Sequence, residues 1–419
     1  ISLWDWVRVR KYAPAEPTYV VLPEEESINY TLPTPLQFAA ERYSRYTGYD
    51  SATCDINGDG IDDFIVSAYD GSAGGTIDGA GEVFVFLGPI YSTDDLDLNK
   101  ADYKFVGSEL HEHAAVLTCD DIDGDGFDDI VVGAPHADCN GNESGRVYVI
   151  YGNMSLGYRF GWYKYDQLVG SDTNDVYSSV ALHVNNENKV FVAFTYTTAT
   201  SPTWCDVRGK ILNPDQSNVT DEFVLSTDTN GCQHIRVGGV NSFSNGNFIA
   251  VWEDWRSGST YDIYGRIFDP NGNPVGPDFV IDETAEDQGY PTVSVNSIDQ
   301  FVVVWQSNET GDWDIYSRIF DKEGNPVSGK FRVNNVTTNN QYYPHVAIGK
   351  DNRIIYVWHD NRNGDFDIYA KIMYSNETVL KDDFRVHTAN SYHQYNPCLL
   401  YTSDAADEGL GVDLGGRRI

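Results

Sequence analysis

Phe301-Val-Val-Val-Trp305, followed by Asp314-Ile-Tyr-Ser-Arg-Ile-Phe320, decides the fold, because the same pattern returns on both sides of it. Trp252, Trp305 and Trp358 are spaced by 53 and 53 residues, and Asp262-Ile-Tyr264, Asp314-Ile-Tyr316 and Asp367-Ile-Tyr369 by 52 and 53. Gln288, Gln341 and Gln394 each stand three residues before a proline, again 53 apart. So regular a period means one structural unit per repeat. Within a unit the pattern predicts a short strand (Thr292 to Val295), an apolar strand ending in Trp (Phe301 to Trp305), an alternating strand (Asp314 to Phe320) and a fourth (Phe331 to Val333). Between the last two, Lys322-Glu-Gly-Asn-Pro326 carries the glycine and proline that punctuate a hairpin. No segment has a helical period. Four strands per unit, repeated, is the sequence form of a β-propeller blade, in which stacked neighbours bury faces that one unit alone would expose.

A weaker copy, Phe191 to Phe194 with Asp206-Val-Arg208 and Phe223, precedes these three and carries an insertion around Pro202 to Cys205. The fold class is therefore all-β, a β-propeller of four-stranded blades. Blades are expected near 40–90, 104–152, 165–225, 233–282, 288–333 and 341–386, with a seventh begun at Tyr392 and truncated. Two incomplete propellers, or a chimeric join, are rival readings.

The amino-terminal half carries a more chemical motif. Asp55-Ile-Asn57-Gly-Asp59-Gly-Ile61-Asp-Asp63 and Asp121-Ile-Asp123-Gly-Asp125-Gly-Phe127-Asp-Asp129 place side-chain oxygens at positions 1, 3, 5 and 9. Position 7, Ile61 or Phe127, offers its backbone carbonyl, and a glycine makes the sharp turn. Hard oxygen donors at alternating positions wrap a cation as large as Ca²⁺, whereas a transition metal would select nitrogen or sulfur. Two Ca²⁺ sites are thus expected, with a structural rather than catalytic role. An EF-hand would need Glu at position 12; Val66 and Val132 stand there, and each loop runs straight into an apolar strand.

These loops and their flanks carry a resemblance. Gly133-Ala-Pro135, then Gly145-Arg-Val-Tyr-Val-Ile-Tyr-Gly152, resembles the FG-GAP repeat of integrin α-chain propellers and many microbial surface proteins. Ser67-Ala68 with Gly81-Glu-Val-Phe-Val-Phe-Leu-Gly88 is similar but lacks the proline. The resemblance covers 40–172 and implies calcium-stabilised blades. Phe105-Val-Gly-Ser108 is read as opening the second such unit, and Leu168-Val-Gly-Ser171 recurs 63 residues later without a calcium loop. Residues 173–397 then hold the 53-residue units, similar to propeller repeats of large secreted proteins.

Both ends are read differently. Trp4-Asp-Trp-Val-Arg-Val-Arg-Lys-Tyr12 resembles the last strand of a lectin-like jelly roll, giving a truncated domain at 1–14 and a linker at 15–39. The chain opens at Ile1 without an initiator Met, and its natural start is expected upstream. Residues 398–419 resemble a translated sequencing adapter, and the chain is read as a fragment with a non-native tail.

The formal charge of −35 loses only two units when the tail is set aside, since it holds four acids and two arginines, so −35 + 2 = −33. A chain this acidic repels nucleic acid and anionic membranes, and no run of 18 apolar residues is long enough to span a bilayer. Cysteines lack any CxxC pair; Cys205 and Cys232 flank one repeat unit and are expected to pair with each other. Seven Asn-x-Ser/Thr sites fit an exported chain. There is no HExxH, no GxSxG and no phosphate-binding glycine loop, and no catalytic residue is assigned. His111-Glu-His113 is the best metal-like cluster beyond the two loops, and a solvated strand explains it more simply. Asp254 with Arg256 and Asp360 with Arg362 are read as packing between blades, because their offsets recur. The functional expectation is an extracellular or cell-surface adhesion or recognition module with a protein or polysaccharide ligand. The alternative is the scaffold of a secreted carbohydrate-active enzyme whose catalytic residues lie elsewhere.

Overall fold

The apolar strands of the repeat are buried on both faces, and their alternation divides the two. In Phe248–Asp254, Phe248, Ala250 and Trp252 pack into one core while Ile249 and Val251 pack into the next. Phe301, Val303 and Trp305 likewise face backwards, and Val302 and Val304 face forwards. Period-two alternation with apolar residues on both sides is what a central strand between two stacked sheets requires.

A computed structural model describes residues 44–71, 79–88, 98–107, 113–136, 146–152, 167–168, 175–198, 201–213, 218–228, 231–349, 351–386, 397–401 and 410–413. The jelly-roll strand, the linker, Tyr392, His111 and Glu112 lie outside them. The described residues form six antiparallel blades. The first is β1 (Ser44–Cys54), β2 (Asp63–Gly71), β3 (Glu82–Phe86) and β4 (Tyr103–Val106). The second is β5 (Val116–Asp120), β6 (Asp129–Ala134), β7 (Arg146–Ile150) and β8 (Gln167–Leu168). The third is β9 (Asp175–Val184), β10 (Val190–Thr198), β11 (Ser201–Leu212) and β12 (Phe223–Val224). In the fourth, β13 (Gln233–His234) and β14 (Val240–Ser242) share the inner edge of β15 (Phe248–Asp254), with β16 (Asp262–Phe268) and β17 (Phe279–Asp282) outside. The fifth is β18 (Gln288–Val295), β19 (Phe301–Ser307), β20 (Asp314–Phe320) and β21 (Phe331–Arg332). The sixth is β22 (Gln341–Ile348), β23 (Arg353–Asp360), β24 (Asp367–Tyr374) and β25 (Val379–Arg385).

The expected count of seven blades is corrected to six. Beyond the sixth blade the described residues form only a two-stranded hairpin, β26 (Cys398–Tyr401) paired with β27 (Leu410–Asp413), which stands beside β1 and β22. Leu399 enters the core on the outer side of the sixth blade, where it covers Ala347, Ile355 and Val357.

Two blade boundaries also move. Phe105-Val106 belongs to β4 and closes the first blade, pairing Glu82 with Val106, and Leu168 in β8 closes the second. A sequence repeat can be cut at any phase, whereas strand pairing fixes where a sheet ends. In the 53-residue units the expected strands fall where predicted, and the Asp321 to Asn325 turn is held by Asp321, whose carboxylate accepts from Glu323 N at 3.0 Å and Asn325 N at 2.8 Å. Gly324 occupies the left-handed region there, at φ 86°.

Five cores fill the interfaces between successive blades, so each sheet is stabilised chiefly by its neighbours. Trp252, Trp305 and Trp358 are wholly buried at equivalent positions. A buried indole N–H needs an acceptor. Trp252 donates to Asp254 at 2.9 Å and Trp358 to Asp360 at 3.0 Å, both within one blade. The fifth blade has Ser307 at that offset, and Trp305 donates instead to Asp282 of the fourth blade at 3.1 Å.

Candidate metal centre

Both acidic loops join the first strand of a blade to its second, so they lie at the same end of neighbouring sheets. Ile56 and Ile122, at position 2, are buried in the cores and anchor each loop, while the residues at positions 3 to 6 face outwards. Gly58, Gly60, Gly124 and Gly126 take positive φ, which turns the chain sharply at positions 4 and 6 of each loop.

In the first loop the Asp55 carboxylate accepts from Asp59 N at 2.9 Å and Gly60 N at 2.6 Å, Asn57 accepts from Asp59 N at 2.9 Å, and Asp59 from Ile61 N at 2.9 Å. The second loop repeats the pattern. Asp121 accepts from Gly124 N and Gly126 N at 2.9 and 3.0 Å, Asp123 from Asp125 N at 3.1 Å, and Asp125 from Phe127 N at 3.0 Å. Position 9 is buried in both: Asp63 accepts from Ile56 N and Gly88 N, and Asp129 from Ile122 N and Gly152 N. Each carboxylate oxygen has two lone pairs, so one backbone bond leaves a further site for a cation.

Oxygens of Asp121, Asp123 and Asp129 lie within 4.8 Å of one another. Burial, together with the charges of Asp55 and Asp59, pushes the Asp63 carboxyl up to about 7. Burial and the charge of Asp123 push Asp129 up to about 7 as well. No lysine or arginine lies within either loop to balance these charges. A bound divalent cation would reverse the shift by supplying the missing positive charge. All-oxygen donors, three carboxylates and an amide in one loop and four carboxylates in the other, suit a hard cation of calcium's size. Asp55, Asn57, Asp59 and Asp63, with the Ile61 carbonyl, could hold one ion. Asp121, Asp123, Asp125 and Asp129, with the Phe127 carbonyl, could hold another.

A second cluster, Cys205, Cys232 and His234, also converges. Cys205 and Cys232 form the expected disulfide, so their thiolates are unavailable to a metal. Cys54 and Cys119 form a second disulfide that joins the starts of the two acidic loops. Sequence reasoning missed it, although the two cysteines stand one and two residues ahead of Asp55 and Asp121. Of the His111-Glu-His113 cluster only His113 is described; its ring stacks on Tyr69 at 4.2 Å and its Nδ1 lies 3.1 Å from the Tyr69 carbonyl.

As expected, the carboxylate and arginine pairs join blades as well as closing within one: Arg256 also donates to Ser226 Oγ at 3.1 Å and Asp278 accepts from Thr227 N at 3.2 Å, both just beyond β12 of the third blade, and Asp383 accepts from Asn335 N at 2.8 Å, just beyond β21 of the fifth. Arg256 bridges Asp254 at 2.6 Å and Asp278 at 2.7 Å, just ahead of β17. Arg362 bridges Asp360 and Asp383, and in the fifth blade Lys330 bridges Glu309 at 2.6 Å and Asp282 at 3.2 Å. Each cation ties the end of a second strand, or its loop, to an outer strand, and each cluster also reaches the preceding blade, Lys330 through Asp282 of β17.

Comparison with known proteins agrees with this geometry. Residues 47–86 and 114–150 match the FG-GAP repeat. Integrin alpha-5 of Xenopus laevis is 32% identical over 123 residues, covering 27% of this chain and 11% of that protein. Integrin alpha-PS5 of Drosophila melanogaster is 32% identical over 124 residues, covering 28% and 11%. The chain thus spans about a tenth of the length of these relatives. Among solved structures, an α-L-arabinanase of Penicillium chrysogenum overlaps with a TM-score of 0.42 at 13% identity, covering 68% of this chain and 89% of that one. An overlap that loose bears on neither ligand nor reaction. The matched residues and the sheets they form identify two FG-GAP repeats as the first two of the six propeller blades that the described residues form.

Proposed function

We propose that this chain is a calcium-stabilised extracellular propeller module for adhesion or recognition, with a protein or polysaccharide ligand. The observation that carries the reading is the pair of loops with oxygen donors at positions 1, 3, 5 and 9, both built on the same glycine turns. Calcium here is structural: it neutralises crowded carboxylates and fixes the loops that join the two inner strands. Extracellular calcium modules bind at about 10⁻⁴ to 10⁻³ M, so such loops fill outside cells and stay empty in cytosol. Two disulfides support the same location, because cytosolic thiols are kept reduced. No helix among the described residues is long and apolar enough to cross a membrane. The test is binding of the full chain to immobilised matrix proteins and glycans in millimolar Ca²⁺ and in chelator. Retention that needs calcium and fails in Asp59→Ala plus Asp125→Ala supports the reading; retention indifferent to both contradicts it.

A second reading, the substrate-binding scaffold of a carbohydrate-active enzyme, is favoured by one feature. At the end of the blades opposite the acidic loops, Trp313, Tyr342 and Phe366 form a chain of aromatic rings with centroids 6.2 Å apart, flanked by exposed Tyr343. Sugar rings stack on such faces. Release of reducing ends from a polysaccharide panel would favour this reading over the first.

A further inference from the structure

The loops that join first and second strands touch one another from blade to blade. Asp55, at position 1 of the first loop, has both backbone groups held by the second: its N–H donates to Asp128 Oδ2 at 2.8 Å, and its carbonyl accepts from Asp128 N at 3.2 Å. The Phe127 ring lies directly over Gly58, where an added Cβ would come within 2.3 Å of it. The Cys54–Cys119 disulfide ties the two loops at their starts. The second loop is held in turn by the third blade, where Asn188 Nδ2 donates to the Asp121 carbonyl at 2.6 Å.

We propose that the two loops bind calcium as one coupled pair, with Phe127 and Asp128 acting as positioning residues for the first site. This rests on the calcium reading above. Neither side chain occupies a ligand position: Phe127 offers only its carbonyl, at position 7, and Asp128 stands at position 8. An ion in the second loop fixes the Phe127 carbonyl and so the backbone of 127–128. That backbone and its side chains hold Asp55 and Gly58, which carry one ligand and one turn of the first loop. Filling the second site therefore pre-organises the first, and linkage requires the reverse effect to be equal.

The experiment is calorimetric titration of the full chain with Ca²⁺ alone, in wild type, Asp59→Ala, Asp125→Ala and Phe127→Ala. Two ions are expected in wild type. Each single ligand variant should bind its remaining ion about tenfold more weakly than that site binds in wild type, by the same factor in both, within the usual range of coupling. Phe127→Ala keeps both ligand sets and should still bind two ions, but adding Asp125→Ala to it should no longer change the affinity of the first site. A merely structural Phe127 would weaken binding yet leave that dependence intact, which would overturn the proposal. Asp128→Asn, checked for folding by circular dichroism, should reduce the same dependence and decides the matter if Phe127→Ala does not fold. Equal wild-type affinity at the remaining site in both ligand variants refutes coupling while calcium binding stands. No heat in wild type refutes the calcium reading itself.

Discussion

Asn57 and Asp123 occupy the same position of two loops that are otherwise nearly alike. Because ligand charge tunes calcium affinity, the first site should be the weaker, and Asn57→Asp should strengthen it several-fold in a calcium titration; an unchanged or weakened site would contradict the assignment of that position. Asp254 sits at another telling position. It is fully buried, accepts the Trp252 indole N–H and pairs with Arg256, whose guanidinium these carboxylates hold above its usual range. Asp254→Ala strands the Trp252 donor and leaves Arg256 with the Asp278 carboxylate, and should cost about 1 to 3 kcal/mol, read as a lowered midpoint in denaturant unfolding. The repeated offset of Asp254 and Asp360 was legible in the sequence, but its partners were not. Ser307 breaks the offset in the fifth blade, and only the structure finds Asp282 supplying the missing carboxylate from the preceding sheet. Linear spacing carries no information about an acceptor contributed by another strand.

At the scale of the strand and blade, the 53-residue period places nearly every strand of the fourth, fifth and sixth sheets. It succeeds there because burial on both faces forces one apolar, alternating segment per central strand. The period places the first two blades less well, since their outer strands, β4 and β8, follow long insertions and look like the openings of the next units. The inner edge of the fourth blade hides a related signal: Gln233 pairs opposite Asp254 as Gln341 does opposite Asp360. The nine-residue acidic loops were legible as oxygen-donor turns, yet their mutual contact was not, because Asp55 and Asp128 are 73 residues apart. The Cys54–Cys119 bridge spans 65 residues and joins two sheets, so its loss should destabilise by about 2 to 4 kcal/mol. The check is thermal unfolding of Cys54→Ser plus Cys119→Ser with calcium present; a midpoint equal to wild type would remove the bridge from the account.

Over the whole molecule, stacking rather than any single sheet sets stability, and buried groups in one blade report on the ring. His359 is buried in the sixth blade, beside Tyr343 at 5.2 Å and Phe366 at 6.1 Å, and burial drives its imidazole down to about 3. The unfolded chain takes up this proton below about pH 6.5 while the folded chain does not, so stability falls as the pH drops from 6.5 towards 3. At pH 4.5 the loss amounts to about 3 kcal/mol. His359→Gln should flatten that part of the acid dependence in urea unfolding, and an unaltered slope would contradict it. The blade count was the coarsest misreading: the repeat extends to Gln394, but a sequence period does not tell whether the last copy completes a sheet. The most direct test of the central claim is the thermal melt of the full chain in 10 mM Ca²⁺, in chelator, and with Asp59→Ala plus Asp125→Ala. Binding at extracellular affinities should add about 1.4 to 2.7 kcal/mol per site, a rise of a few degrees that the double variant loses. A melting temperature the same in calcium, in chelator and in the variant would mean that the two loops are acidic turns, and the calcium-stabilised propeller would fall with them.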